Sequence, residues 1–124
     1  MKLLVVEDSI FVQNVLRKTI VEHVPDCEVI TAADGEKGYM MYAEHQPDLI
    51  TTDLLMPGMS GTEMLRKIRE TDQETRVIVI SADVQKAAKD EVEALGITGF
   101  IHKPVTGDKV GLLIKLIKET GHVK

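Results

Sequence analysis

Tryptophan is missing, cysteine occurs once, and only 3% of the 124 residues are aromatic. So few rings argue against a stacking platform for nucleic-acid bases. Cys27 has no second cysteine to pair with, so the expected setting is the reducing cytoplasm. No apolar run approaches the ~20 residues a membrane-spanning helix needs, and the N-terminus lacks a signal-peptide core, so no membrane insertion is expected. Positive charge is not in excess either. A formal net charge of -5 argues against direct nucleic-acid contact. Finally, VVEDSIF, the turn after the first strand-like run, contains no glycine. That removes the glycine-rich loops by which G-x-G-x-x-G and G-x-x-x-x-G-K-[ST] modules cradle phosphates.

What is present is alternation. Five β-like runs, KLLVV (2–6), CEVITA (27–32), DLITTD (48–53), RVIVIS (76–81) and ITGFIH (97–102), are separated and followed by five longer helix-like runs. In the first helical run Phe11, Val12, Val15, Leu16 and Ile20 recur at helical spacing. In the last, Val110, Leu113, Ile114 and Ile117 do the same. Gly96 reads as a helix C-cap. Strict β–α alternation with continuous Val, Ile and Leu runs predicts a parallel sheet covered by helices on both faces. LLVV and VIVI read as central strands, and the more mixed CEVIT and TGFIH as edges. With 44% hydrophobic residues and no linker, repeat or low-complexity segment, residues 1–124 read as one domain.

In open parallel sheets ligands bind beyond the carboxyl ends of the strands. The first strand carries Glu7 and Asp8 there, the third Asp53, the fourth Ser81 and the fifth Lys103. Singly, each has an ordinary explanation: Asp8 or Ser9 as a helix cap, Asp53 as a loop cap, Ser81 as a cap for the fourth helix, Lys103 as a solvated lysine. Jointly these explanations fail. Carboxylates ~4 Å apart repel by about 4 kcal/mol at an effective dielectric near 20, and Lys103 supplies one positive charge. Oxygen ligands of this kind suit a hard divalent cation such as Mg²⁺. A metal, a lysine and a hydroxyl around one free carboxylate favour phosphoryl transfer to an aspartate nucleophile.

The segments VVEDS, DLITTDLLMPGMSG, VIVISAD and FIHKP, in this order and at this spacing, resemble the receiver domain of two-component response regulators, most of all the stand-alone CheY-like chemotaxis type. The resemblance spans essentially the whole chain. It implies a flavodoxin-like (βα)5 doubly wound sheet of strand order 2-1-3-4-5. It implies that Asp53 accepts a phosphoryl group from a sensor histidine kinase or a histidine phosphotransfer protein. Asp8, Asp53 and the backbone carbonyl of Leu55 would hold Mg²⁺ (or Mn²⁺), with Glu7 acting through a metal-bound water. Lys103 and Ser81 would contact phosphoryl oxygens, and a cis Lys103-Pro104 peptide would place the ammonium over the pocket. Ser81 and Phe100 would form a switch acting on the face of the fourth helix, fifth strand and fifth helix. Leu55 and Asp83 occupy the positions that tune phosphoryl lifetime. Such a protein is a signalling switch, not an enzyme, catalysing only its own phosphorylation and dephosphorylation.

A receiver-like module that binds partners without phosphorylation is argued against by the intact acidic pair, Asp53, Ser81 and Lys103. Two further alternatives stand beside this reading. One is a receiver cut from a larger regulator with an output domain. The other is an aspartate-nucleophile phosphohydrolase, whose motif carries a second aspartate two residues after the nucleophile, where this chain has Leu55. His23, His45, His102 and His122 show no ligand spacing and read as surface or helix-end residues. Met40, Met41 and Met64 read as core gap-fillers. Leu112 and Leu116 fall on the side of the last helix away from its core stripe. They read as a contact patch for a downstream target or, through a phosphorylation-linked homodimer, a second copy of the domain.

Overall fold

The computed structural model describes residues 1–82 and 85–122, the side chains of 121 and 122 excepted. Asp83 therefore lies outside the described residues. Strands β1 (Lys2–Val6), β2 (Glu28–Ala32), β3 (Leu49–Thr52), β4 (Arg76–Ser81) and β5 (Gly99–His102) alternate with helices α1 (Ile10–His23), α2 (Gly35–His45), α3 (Gly61–Arg69), α4 (Lys86–Leu95) and α5 (Asp108–His122). All pairings are parallel, in the order β2-β1-β3-β4-β5. This is the doubly wound sheet expected from the alternation.

Side chains alternate along each strand and so divide the core in two. Leu3, Val5, Leu49, Ile78, Ile80 and Ile101 meet Leu16 and Ile20 of α1 and Leu113, Ile114 and Ile117 of α5. Leu4, Val6, Ile50, Val77 and Val79 meet Met64, Leu65 and Ile68 of α3 and Val92 of α4. Helix starts are capped by Ser9, Asp34 and Ser60, the last forming a reciprocal capping box with Glu63. Because Ser9 caps α1 and Gln85 occupies the N-cap of α4, neither Asp8 nor Ser81 serves as a helix cap. Gly96 ends α4 at φ 88°.

Three helical-face expectations need correction. On α1 the buried stripe is Gln13, Leu16 and Ile20, whereas Phe11 is 77% exposed and Val15 also faces out. Met40 is exposed, while Met64 is buried and Met41 packs at the edge of the core. On α5, Leu112 is exposed as expected, but Leu116 is half-buried against the core. Its δ-carbon lies 2.7 Å from where a Cβ on Gly99 would sit, so the bare glycine of β5 makes its room. Leu116 is therefore a packing residue, and the outward patch on α5 is left with Leu112.

One buried polar atom stands out. Thr51 sits in mid-sheet beside Val5 and Ile78, 1% exposed, and its hydroxyl finds no hydrogen-bond partner among the described residues. An unmet buried hydroxyl costs about 1 kcal/mol or more. Thr51→Val keeps the shape and removes that cost, so it is expected to stabilise the protein by roughly 1 kcal/mol. A urea or thermal melt that shows lower stability instead would mean the hydroxyl is satisfied.

Candidate functional site

The carboxyl ends of β1 and β3 lie side by side, with Val6 paired to Thr52. The residues that follow, Glu7 with Asp8 and Asp53, therefore leave the sheet together. Asp53 is buried, and its amide donates to the Val6 carbonyl at 3.2 Å. Its Oδ1 accepts from the amides of Leu54 at 2.7 Å and Leu55 at 3.3 Å. Its Oδ2 meets the Lys103 Nζ at 2.6 Å. The same ammonium reaches Glu7 Oε1 at 2.7 Å, while Glu7 Oε2 accepts from the Ser9 amide at 3.0 Å. The backbone of Lys103 is anchored by its N–H to the Ser81 carbonyl at 3.0 Å, and the Lys103-Pro104 peptide is cis.

Carboxylate oxygens of Glu7, Asp8 and Asp53 all lie within 4.8 Å of one another. Glu7 and Asp53 are buried and Asp8 is exposed. Burial pushes the Glu7 carboxyl above its usual range, against the opposing pull of Lys103 and the Ser9 amide. Burial pulls the Lys103 ammonium down, but its hydrogen bonds to Asp53 and Glu7 outweigh that and leave it above its usual value. When the three carboxyls are ionised, one ammonium leaves two negative charges unmatched. An oxygen-only donor set with that charge, open on the Asp8 side, fits a hard divalent cation that keeps several waters.

Ser81 is fully buried at the end of β4, one strand from Asp53. Phe100 is half-buried, its ring 5.0 Å from that of His102 and 5.7 Å from the Lys89 ammonium. Leu55, two residues after the acceptor, is 61% exposed, and Ile10 and Phe11 at the start of α1 are exposed as well. Leu112 lies away from this pocket, on α5.

Sequence reasoning passed over two residues of this site. Gln13, buried on α1, donates its amide to the carbonyls of Glu7 at 3.2 Å and Ala32 at 3.3 Å. Its signal was a polar residue at the head of the Gln13–Leu16–Ile20 stripe. Gly61 opens α3 directly against the Asp53 carbonyl, where a methyl group has no room. Its only signal was a glycine placed just after a helix cap.

A family model described as the response regulator receiver domain matches residues 3–115. The chain is 33% identical over 110 residues to a chemotaxis protein CheY of Bacillus subtilis, covering 88% of this chain and 90% of that protein. It is 40% identical over 114 residues to a protein-glutamate methylesterase/protein-glutamine glutaminase of Koribacter versatilis. That match takes in 90% of this chain but only 31% of the methylesterase. Among solved structures, the N-terminal domain of an uncharacterized protein from Wolinella succinogenes superposes with a TM-score of 0.90 at 35% identity, covering 99% of this chain and 95% of that one.

Proposed function

The chain belongs to the response regulator receiver family, as a CheY-like signalling switch, and from that premise we propose that Asp53 is its phosphoacceptor. The observation that carries the assignment is the setting of that one carboxylate. It is buried, held by two backbone amides on one oxygen and by Lys103 on the other, and flanked by two further carboxylates. Nothing in a structural loop requires that concentration of charge.

The donor in this reading is a phosphohistidine on a sensor kinase or phosphotransfer protein. An Asp53 carboxylate oxygen attacks phosphorus and the P–N bond breaks with its electron pair staying on the ring. The ring leaves as neutral imidazole because the other nitrogen of the phosphohistidine carries the proton. Lys103 balances charge on the transferred group, the Leu54 and Leu55 amides fix the plane of the attacking carboxylate, and Ser81 supplies a hydroxyl from the neighbouring strand. Asp8, Asp53 and the Leu55 carbonyl would hold Mg²⁺, with Glu7 ordering a water on it. The ion's contribution when bound is to offset negative charge on the phosphoryl oxygens. Movement of Ser81 and Phe100 would then pass the change to the α4–β5–α5 face, where Leu112 is exposed for a target protein or a second copy of this chain. We place the exchange in the cytoplasm. Among the described residues no helix is long and apolar enough to cross a membrane.

The test is direct. With Mg²⁺ and acetyl phosphate, wild type is expected to gain one phosphoryl group by mass spectrometry, and Asp53→Asn none. Chelating the metal should stop the reaction. An inert wild type, or a labelled Asp53→Asn protein, sinks the assignment.

A further inference from the structure

We propose that Gln13 is a positioning residue for the cation at this rim. Its side-chain amide fixes the peptide plane between Glu7 and Asp8, and through that plane the direction of the Asp8 carboxylate. The proposal rests on the reading above, that the rim takes Mg²⁺.

Asp8 needs such an arrangement. It is exposed, and among the described residues its side chain makes no hydrogen bond or ion pair. Glu7 is held by its side chain, through Lys103 and the Ser9 amide. Asp8 has no equivalent restraint. Its direction is therefore set by the backbone on either side. On the far side that backbone is the start of α1, capped by Ser9. On the near side it is the Glu7–Asp8 peptide, whose carbonyl oxygen accepts from Gln13 Nε2 at 3.2 Å. The second proton of the same amide reaches the Ala32 carbonyl at 3.3 Å, and that carbonyl also accepts the Glu7 amide at 3.0 Å. Gln13 thus ties the metal-binding turn to the end of β2, a strand that contributes no ligand of its own.

The choice of residue supports this role. Gln13 shares the buried stripe of α1 with Leu16 and Ile20, in a position where an apolar side chain of the same size would pack. Burying an amide is unfavourable unless both its protons are met, and here they are met by the two carbonyls that define the turn. Groups that orient metal ligands from behind alter metal affinity about 10- to 100-fold when removed, without touching the ion.

The experiment titrates Mg²⁺ alone into the protein, with no phosphodonor, and follows binding by calorimetry or amide chemical shifts. Gln13→Met keeps the volume and removes the donors, so its Mg²⁺ dissociation constant is expected to rise about tenfold. Ile20→Val loosens the same stripe two turns along, and its dissociation constant is expected to match wild type. Should Gln13→Met fail to fold, Gln13→Asn carries the comparison. Its amide is one methylene too short to span both carbonyls, and weaker binding is again expected. Unchanged Mg²⁺ affinity in the folded Gln13 variant overturns the proposal, and so does an equal loss in Ile20→Val, which would mark a general softening of α1. A wild type that binds no Mg²⁺ overturns the metal reading itself, and this inference with it.

Discussion

Gly61→Ala is expected to cost about 3 kcal/mol of stability or more and to slow phosphorylation of the molecules that still fold. A Cβ at this position would collide with the Asp53 carbonyl oxygen and stand 2.9 Å from its carbon and 3.0 Å from Leu54 Cα. These are backbone atoms. No side chain can swing away to make room, so either α3 backs off or the peptide of the acceptor shifts. Both movements break something already in place, because the Gly61 amide donates to the Leu54 carbonyl at 3.0 Å. Displacing a reacting group by about 1 Å can cost roughly a hundredfold in rate. The comparison is Gly111→Ala on α5, where a Cβ meets nothing within 4 Å. There the lost flexibility of glycine should raise stability by about 0.5–1 kcal/mol. Melting curves and acetyl phosphate kinetics on the two variants decide the matter. If Gly61→Ala melts like wild type and reacts at the same rate, the close approach of α3 to the acceptor is not a constraint.

That contact also marks where the sequence stops being legible. The sheet could be read because a buried parallel strand must be apolar on both faces, as LLVV and VIVI are. The gathering of Glu7, Asp53 and Lys103 followed, since each ends a strand and parallel strands end on one side. Other features depend on distances between elements, about which periodicity is silent. A helical wheel gives the angle between two residues but not the arc their neighbours cover. Hence Phe11 and Val15, spaced like core residues, face outward, while Gln13 faces in. Hence also Leu116, on the polar side of its helix by angle, is covered because Gly99 opposite lacks a side chain. Tight packing of glycine against backbone leaves no trace in a pattern of apolar and polar residues.

A charged residue can be equally opaque. Arg69, near the end of α3, has the sequence context of a solvated basic residue, yet it is buried. Its Nε donates to the Leu95 carbonyl at 2.9 Å and its Nη1 to that of Asp72 at 2.9 Å. Its Nη2 reaches the Thr75 carbonyl at 2.7 Å and the Gly96 carbonyl at 2.8 Å. Burial pulls the guanidinium below its usual range, opposed chiefly by the nearby Asp72, but an arginine stays charged at any ordinary pH. The turn beside it is independently braced. Burial alone would raise the Asp72 carboxyl, but the Thr75 hydroxyl, the Tyr42 hydroxyl at 2.7 Å and the Glu74 and Thr75 amides all donate to it and hold it well below the usual range.

One planar fork thus joins the end of α3, the turn into β4 and the end of α4, at the end of the strands opposite to Asp53. Arg69→Met is expected to destabilise the domain by roughly 3 kcal/mol or more, because four carbonyls lose their donor and each unmet group carries a desolvation cost. Arg69→Lys should recover little, since a single ammonium lacks the geometry to serve four carbonyls in a plane. For a domain of this size the loss corresponds to roughly 10 °C in melting temperature, and urea midpoints should fall in parallel. Below the melting range the folded variant should accept phosphate at the wild-type rate, because nothing near Glu7, Asp53 or Lys103 has changed. An Arg69→Met protein as stable as wild type would show that water or relaxation replaces the guanidinium. A stable variant with slow phosphorylation would instead place Arg69 in the pathway between α4 and the acceptor pocket, and the division between a structural amino end of the strands and a chemical carboxyl end would fail.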